Sequence, residues 1–259
     1  MRLGIFGWSQ SGKTTVFDAL TGTAGKPGDH SAKARIGASH VADERLDFLA
    51  TIFNPKKVTY ATVEYIDLPG LVNDAHAHEA NPKTLSDVRQ ADALIAVLRA
   101  FADPTVPNPF GTVDPVRDFQ RLWDELVFAD LEVAERRIKR LEVDITKPTA
   151  HQKDDQIELA CLQRIKPALE EGKAVSAVPM NNIEEKSIRG FRFLTAKPIL
   201  VLLNRGEESI EKADSLGEAD FGHSVLSIFA RLELELSQLS PDDRAVFMED
   251  MGLTSLAAP

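Results

Sequence analysis

The chain has 259 residues, 43% of them hydrophobic and 27% charged, with a formal net charge of −10 and one cysteine. That length holds one large domain or two smaller ones around a sizeable core, and the acidity argues against DNA as a specific or non-specific partner. A lone Cys161 excludes an internal disulfide and gives no sign of an oxidising compartment, so it reads as a small buried hydrophobe.

The opening "RLGIF" suits a buried strand, and the N-terminus reads as a strand and not as a signal peptide. Residues 13 to 21 carry Val16, Phe17 and Leu20 at helical spacing, and Gly22 ends that helix. Residues 23 to 40, rich in Gly, Pro, Ser and Ala, are expected to form a mobile loop. "DERLDFLATIF" predicts a short helix through Leu46, Leu49, Ile52 and Phe53. "VTYATVEYIDLPG", "DALIAVLRAF", "KPILVLLNR" and "HSVLSIFA" predict four further strands. Between the second and third of these, residues 114 to 145 place Leu131, Ala134, Ile138, Leu141 and Ile145 at alternating steps of three and four, a narrow coiled-coil seam. A second helix over 151 to 171 carries Ile157, Leu162, Ile165 and Leu169 and closes at Gly172; the two should pack antiparallel. The resulting expectation is an α/β fold with a mostly parallel sheet and an inserted helical hairpin. Its units are 1–113, a helical insertion 114–196, and 197–259. No run approaches the ~18 apolar residues that span a bilayer, and a cytoplasmic monomer is expected.

Gly7-Trp8-Ser9-Gln10-Ser11-Gly12-Lys13-Thr14 matches G-x-x-x-x-G-K-[ST] without mismatch, after a strand and at the start of a helix. Glycines let backbone N–H groups of Ser9, Gln10, Ser11, Gly12, Lys13, Thr14 and Thr15 turn toward phosphate oxygens, and the helix N-terminus adds its positive end. Lys13 would neutralise the β- and γ-phosphates, and the Thr14 hydroxyl would ligate Mg2+. Because its stem should pack little, Lys13→Ala is expected to leave the fold intact. About fifty residues on, Asp67-Leu68-Pro69-Gly70 ends a strand, where Asp67 can hold the metal through water and the Gly70 amide can meet a γ-phosphate. After "PILVLL" stands Asn204-Arg205-Gly206-Glu207, where guanine-specific enzymes carry N-K-x-D. The extra methylene of Glu207 moves the acceptor off the guanine fork, which leaves adenine admissible. His76 and His78 beside Glu79 read more readily as solvated loop residues than as a metal or base pair. His151 and His223 read as surface residues.

These motifs together resemble the Obg-like GTPase superfamily, P-loop NTPases with a Ras-like G domain, and in detail its YchF branch of Obg-like ATPases. "VADERLDFLATIFNPKKVTYATVEYIDLPGLV", "VDPVRDFQRLWDELVFADLEVAERRIKRLE", "FRFLTAKPILVLLN" and "SIFARLELELSQLSPDDRAVFMEDMGL" are similar to that family's segments in the same order. The resemblance implies a purine nucleotide site for ATP or GTP with Mg2+, K+ as an optional second cation, and association with ribosomes. It implies base contacts by Asn204, Arg205, Glu207, Ser227, Phe229 and Ala230, and a metal-binding hydroxyl from Ser31. It also implies that Leu71 stands where a Ras-type enzyme places its water-orienting glutamine. The chain departs from the family at Trp8-Ser9-Gln10-Ser11, usually apolar-Pro-Asn-Val, and in the loop "NDAHAHEANPK". It departs again at Asn108, which replaces a histidine implicated in hydrolysis and cannot serve as a general base. The family's C-terminal TGS domain has no counterpart in these residues. The leading expectation is a slow nucleotide-dependent switch; the alternatives are a GTP-specific GTPase and a nucleotide-binding interaction module with negligible hydrolysis.

Overall fold

The computed structural model describes residues 1–23, 34–73, 77–146, 151–207 and 221–250. Six strands form one sheet: β1 (Arg2–Phe6), β2 (Arg35–His40), β3 (Thr62–Asp67), β4 (Ala93–Ala100), β5 (Ile199–Arg205) and β6 (Ser224–Ile228), in the order β2-β3-β1-β4-β5-β6. All neighbours are parallel except β2, which runs antiparallel to β3. Central β4 is buried along nearly its whole length, which is why "ALIAVLRA" is a continuous apolar run rather than an alternating one.

Helices cover both faces. On one face Ile5, Ile95, Val97, Leu202 and Ile228 pack against Val16 and Phe17 of α1 (Lys13–Thr21). On the other, Phe6, Leu94, Ala96, Leu98, Val201 and Leu203 pack against Leu85 and Val88 and against Phe119, Leu122 and Leu126. Leu85 and Val88 belong to α3 (Ala77–Val88), which follows the short α2 (Glu44–Phe53). Phe119, Leu122 and Leu126 belong to α4 (Pro115–Asp144), which starts cleanly because Asp114 accepts from the Arg117 amide and Pro115 supplies a preset φ.

Beyond Leu126, α4 leaves the sheet and pairs with α5 (Gln152–Glu170). The contacts Trp123 to Gly172, Glu135 to Lys166 and Arg137 to Glu158 run in opposite directions along the two helices, so the hairpin is antiparallel. Ala134, Ile138 and Leu141 meet Leu159, Leu162, Ile165 and Leu169 in a second core. The chain returns through α6 (Asn182–Ile188), opened by a capping box of Asn181 and Glu184, and through short 3-10 turns to β5. Asp130 joins the two cores. Fully buried, it accepts from the Leu194 and Thr195 amides, the Thr195 hydroxyl and Arg89. After β6 come α7 (Ala230–Ser237) and α8 (Pro241–Asp250).

Three expectations are corrected. Residues 35–40 are the edge strand β2, not loop; its residues alternate between exposed and half-buried, so no apolar run marks it. The strand expected from Val58 begins at Thr62. Residues 77–88 form a helix that Asn81 and Pro82 hide from a propensity reading.

Candidate functional site

The parallel strands β1, β3, β4, β5 and β6 all end at one edge of the sheet, where a doubly wound fold gathers its functional loops. Residues 7–12 turn there between β1 and α1. Gly7 is buried, and a β-carbon on it would lie 2.5 Å from the Val97 carbonyl. Gln10 (φ 64°) and Gly12 (φ 89°) take left-handed backbone, which rolls the loop into the N-terminus of α1. A β-carbon on Gly12 would fall 2.1 Å from Asn204 Nδ2.

Lys13 Nζ donates to the Trp8 carbonyl at 2.9 Å, across the mouth of the turn. The residue is only 6% exposed, so the expectation of a loosely packed stem is corrected: it is buried against the loop whose Trp8 carbonyl it meets. Burial draws the ammonium pKa down to about 8, with the charge of Asp67 opposing that fall. Thr14 Oγ1 donates to Asp67 Oδ2 at 3.0 Å, while Asp67 Oδ1 is buried without a hydrogen-bond partner. Burial raises the Asp67 pKa; the Thr14 hydrogen bond and the Lys13 charge pull it back. Gly70 presses against this cluster, since a β-carbon there would lie 2.7 Å from Ser9 Cα and 2.9 Å from Lys13 Nζ. Ser9 is half-buried, and its hydroxyl donates to the Leu71 carbonyl at 3.0 Å. The Ser11 hydroxyl is buried without a partner, Thr14 is exposed and Thr15 half-buried.

Asn204, next to last in β5, ties three segments together. Its Nδ2 donates to the Ser11 carbonyl at 3.1 Å, and its Oδ1 accepts from the Ala230 amide at 3.4 Å. Gly12, Asn204 and Ala230 are therefore brought together. Arg205 is buried with Nε and Nη2 unpartnered. Glu207 and Ser227 are exposed and Phe229 is half-buried at the same sheet edge. Ser31 and His76 lie outside the described residues, as does the His78 side chain. His223 is not a surface residue: it is half-buried against Phe119 and Trp123, and that burial lowers its pKa.

Two residues flank the site that sequence reasoning did not single out. The Phe101 ring lies 3.9 Å from where a Gly12 β-carbon would sit and is capped by the Arg99 guanidinium at 4.5 Å. Its only signal was an aromatic side chain just past a buried strand. Asn81 grips the chain after Gly70 through both the amide and the carbonyl of Val72. Leu71 is 1% exposed and sits in the core. Asn108 borders a crevice of about 10 Å3, the space of one water, beside Trp8 and Ser11, and its Nδ2 is buried without a partner.

A glycine turn feeding a helix N-terminus, a buried lysine across it, and a hydroxyl–carboxylate pair at the neighbouring strand end define a P-loop nucleotide site on a G-domain sheet. Residues 2–126 match the family model described as 50S ribosome-binding GTPase. Over 97% of the chain and 71% of the relative, the sequence is 32% identical to the ribosome-binding ATPase YchF of Haemophilus ducreyi. It is 31% identical to that of Bacillus subtilis over 96% of the chain and 71% of the relative. The solved structure of the Schizosaccharomyces pombe YchF GTPase superposes with a TM-score of 0.79 at 25% identity, covering 98% of this chain and 72% of that one. The chain belongs to the YchF family of P-loop NTPases.

Proposed function

We propose that the protein is an ATP-preferring nucleotide switch that hydrolyses slowly, accepts GTP as a second substrate and docks on ribosomes; of this, the relatives' names state ribosome binding and ATPase activity for those proteins. The observation that carries this reading is the Thr14–Asp67 contact beside Lys13, three groups from two separate segments converging at one helix N-terminus. The residues fit a hard divalent cation. Thr14 Oγ1 and the unpartnered Asp67 Oδ1 are oxygen donors, and phosphate oxygens and water would complete the shell. Mg2+ bound there would neutralise charge on the β- and γ-phosphates. Ser31 is the further hydroxyl proposed for that shell, and K+ the second cation.

The chain's own residues divide the work. The amides of residues 9–15 and Lys13 hold the phosphates, and the Gly70 amide meets the γ-phosphate. Asn204 keeps the turn and the start of α7 in register with the base, Phe101 offers it an aromatic face, and Arg205, Glu207, Ser227, Phe229 and Ala230 border it. The shift from Asp to Glu207 favours adenine over guanine. Competition of ATP against GTP on the purified chain tests this; a tenfold preference for GTP, about 1.4 kcal/mol, would overturn it.

The burial of Leu71 favours a second reading, an interaction module with negligible hydrolysis, because no side chain at that position orients water. Single-turnover assays with Mg2+ and K+ separate the two. Product formation supports the switch, and tight binding without product supports the module. Co-sedimentation with ribosomes in the presence of each nucleotide tests the partner.

A further inference from the structure

The phosphate loop and the segment after Asp67 that lies against it are each tied to the helical hairpin. The first tie is Trp8. Its carbonyl accepts from Lys13, its backbone bridges to Leu71, and its indole Nε1 donates to the Asp118 carbonyl of α4 at 2.8 Å in a buried contact. Its ring meets Phe110 edge-on, with centroids 5.0 Å apart. The second tie is Asn81 of α3, only 2% exposed. Its Oδ1 accepts from the Val72 amide at 2.9 Å, and its Nδ2 donates to the Val72 carbonyl at 3.1 Å and to Glu125 of α4 at 3.3 Å. Asp118 and Glu125 are two helical turns apart, on the side of α4 that faces the sheet.

Between these ties the segment after Asp67 is clamped onto the phosphate loop. Ser9 N donates to Leu71 O at 2.8 Å, Leu71 N donates to Gly7 O at 3.0 Å, and Gly70 abuts Ser9 and Lys13. A γ-phosphate held by both Lys13 and the Gly70 amide needs the space between those two groups, so its entry separates residues 70–72 from the loop. The next anchor along that segment is Asn81, and its other partner is Glu125. On the opposite side, a Lys13 ammonium shared with phosphate oxygens loosens its hold on the Trp8 carbonyl, and the indole carries that change to Asp118. Helix α4 has 30 residues, so it extends about 45 Å, and a tilt at its base is magnified at the far end of the hairpin.

We propose that Trp8 and Asn81 are positioning residues that couple γ-phosphate occupancy to the seating of α4 on the sheet, so that the hairpin reports which nucleotide is bound. The inference rests on the nucleotide reading given above. Coupling of this kind is reciprocal, so a partner that grips the hairpin changes nucleotide affinity by the same factor.

Hydrogen–deuterium exchange of α4 tests it, with saturating Mg2+–ATPγS compared with saturating Mg2+–ADP. In the wild-type chain the amides of residues 115–130 should differ between the two states by about threefold or more. Combining Trp8→Phe, which keeps a ring but removes the indole donor, with Glu125→Ala should abolish that difference. A merely structural role would change exchange equally in both states and leave the difference standing. If the Trp8 variant does not fold, Glu125→Ala alone, at a half-buried position, should reduce the difference. A variant that keeps the full wild-type difference overturns the proposal. So does a wild-type chain that binds both nucleotides with identical exchange along α4. A wild-type chain that binds neither would overturn the phosphate-site reading itself, and the coupling with it.

Discussion

Lys13 combines 6% exposure with a pKa drawn down to about 8, and this pair of facts makes a sharp prediction. The unfolded chain holds that proton up to the ordinary lysine value of 10.5, so between about pH 8 and 10.5 it binds more protons than the folded chain. Stability contributed at this position therefore rises with pH across that window, by at most about 3 kcal/mol. Lys13→Met keeps the volume and removes the charge. Its stability at pH 7 should equal or exceed wild type, and the extra rise above pH 8 should vanish, as read by urea denaturation at stepped pH. A wild-type-like pH profile in Lys13→Met would refute the assigned burial. Gly12 makes the complementary case. Gly12→Ala adds a β-carbon at φ 89° and only 2.1 Å from Asn204 Nδ2, so it strains the backbone and breaks the Asn204–Ser11 tie together. It should cost about 2–4 kcal/mol of stability, measured by the same denaturation, whereas Asn204→Ala, which loses the Ser11 and Ala230 hydrogen bonds without straining the Gly12 backbone, should cost about 1–3 kcal/mol.

Among the elements, α4 links the two cores, because its base packs on the sheet and its remainder packs on α5. Asp130 sits where the two halves meet and accepts from two amides, one hydroxyl and one guanidinium. Asp130→Ala strands the Leu194 and Thr195 donors and leaves Arg89 only its carbonyl partners, and should destabilise by about 3–5 kcal/mol in thermal or chemical unfolding. A loss below 1 kcal/mol, on the order of a surface pair, would mean the junction is not held there. The hairpin and the phosphate loop were legible in the sequence because their signals are local: Ala134, Ile138 and Leu141 keep a fixed step, and Gly7, Gly12, Lys13 and Thr14 keep a fixed spacing. Helix α3 was not legible, because Asn81 and Pro82 are poor helix formers and Asn81 is there to grip Val72. Strand β2 was missed for a related reason. An edge strand with one exposed face needs no apolar run, and Gly37 within it lies where a β-carbon would fall 2.8 Å from the Phe17 ring. The roles of Asn204 and Asp130 depend on partners far off in sequence, which no local pattern encodes.

At the scale of the whole molecule, apolar residues divide sharply between load and cover. Leu122 of α4 is fully buried in the sheet core, while Phe48, Ile52 and Phe53 of α2 are 65%, 56% and 74% exposed. Leu122→Ala should cost about 2–5 kcal/mol, and Phe53→Ala should change stability by no more than about 0.5 kcal/mol. Paired denaturation curves check both. The proposed function puts one nucleotide at the carboxyl edge of the sheet, beside the base of the hairpin, and the proposed switching depends on that ligand being there. Titration calorimetry with Mg2+–ATP, run in parallel on wild type and on folded Lys13→Met, decides it. The expected result is saturable binding of one nucleotide per wild-type chain, weakened about a hundredfold or more in Lys13→Met and reduced when Mg2+ is chelated. No heat of binding in wild type at millimolar nucleotide, or equal affinity in the two proteins, would contradict it.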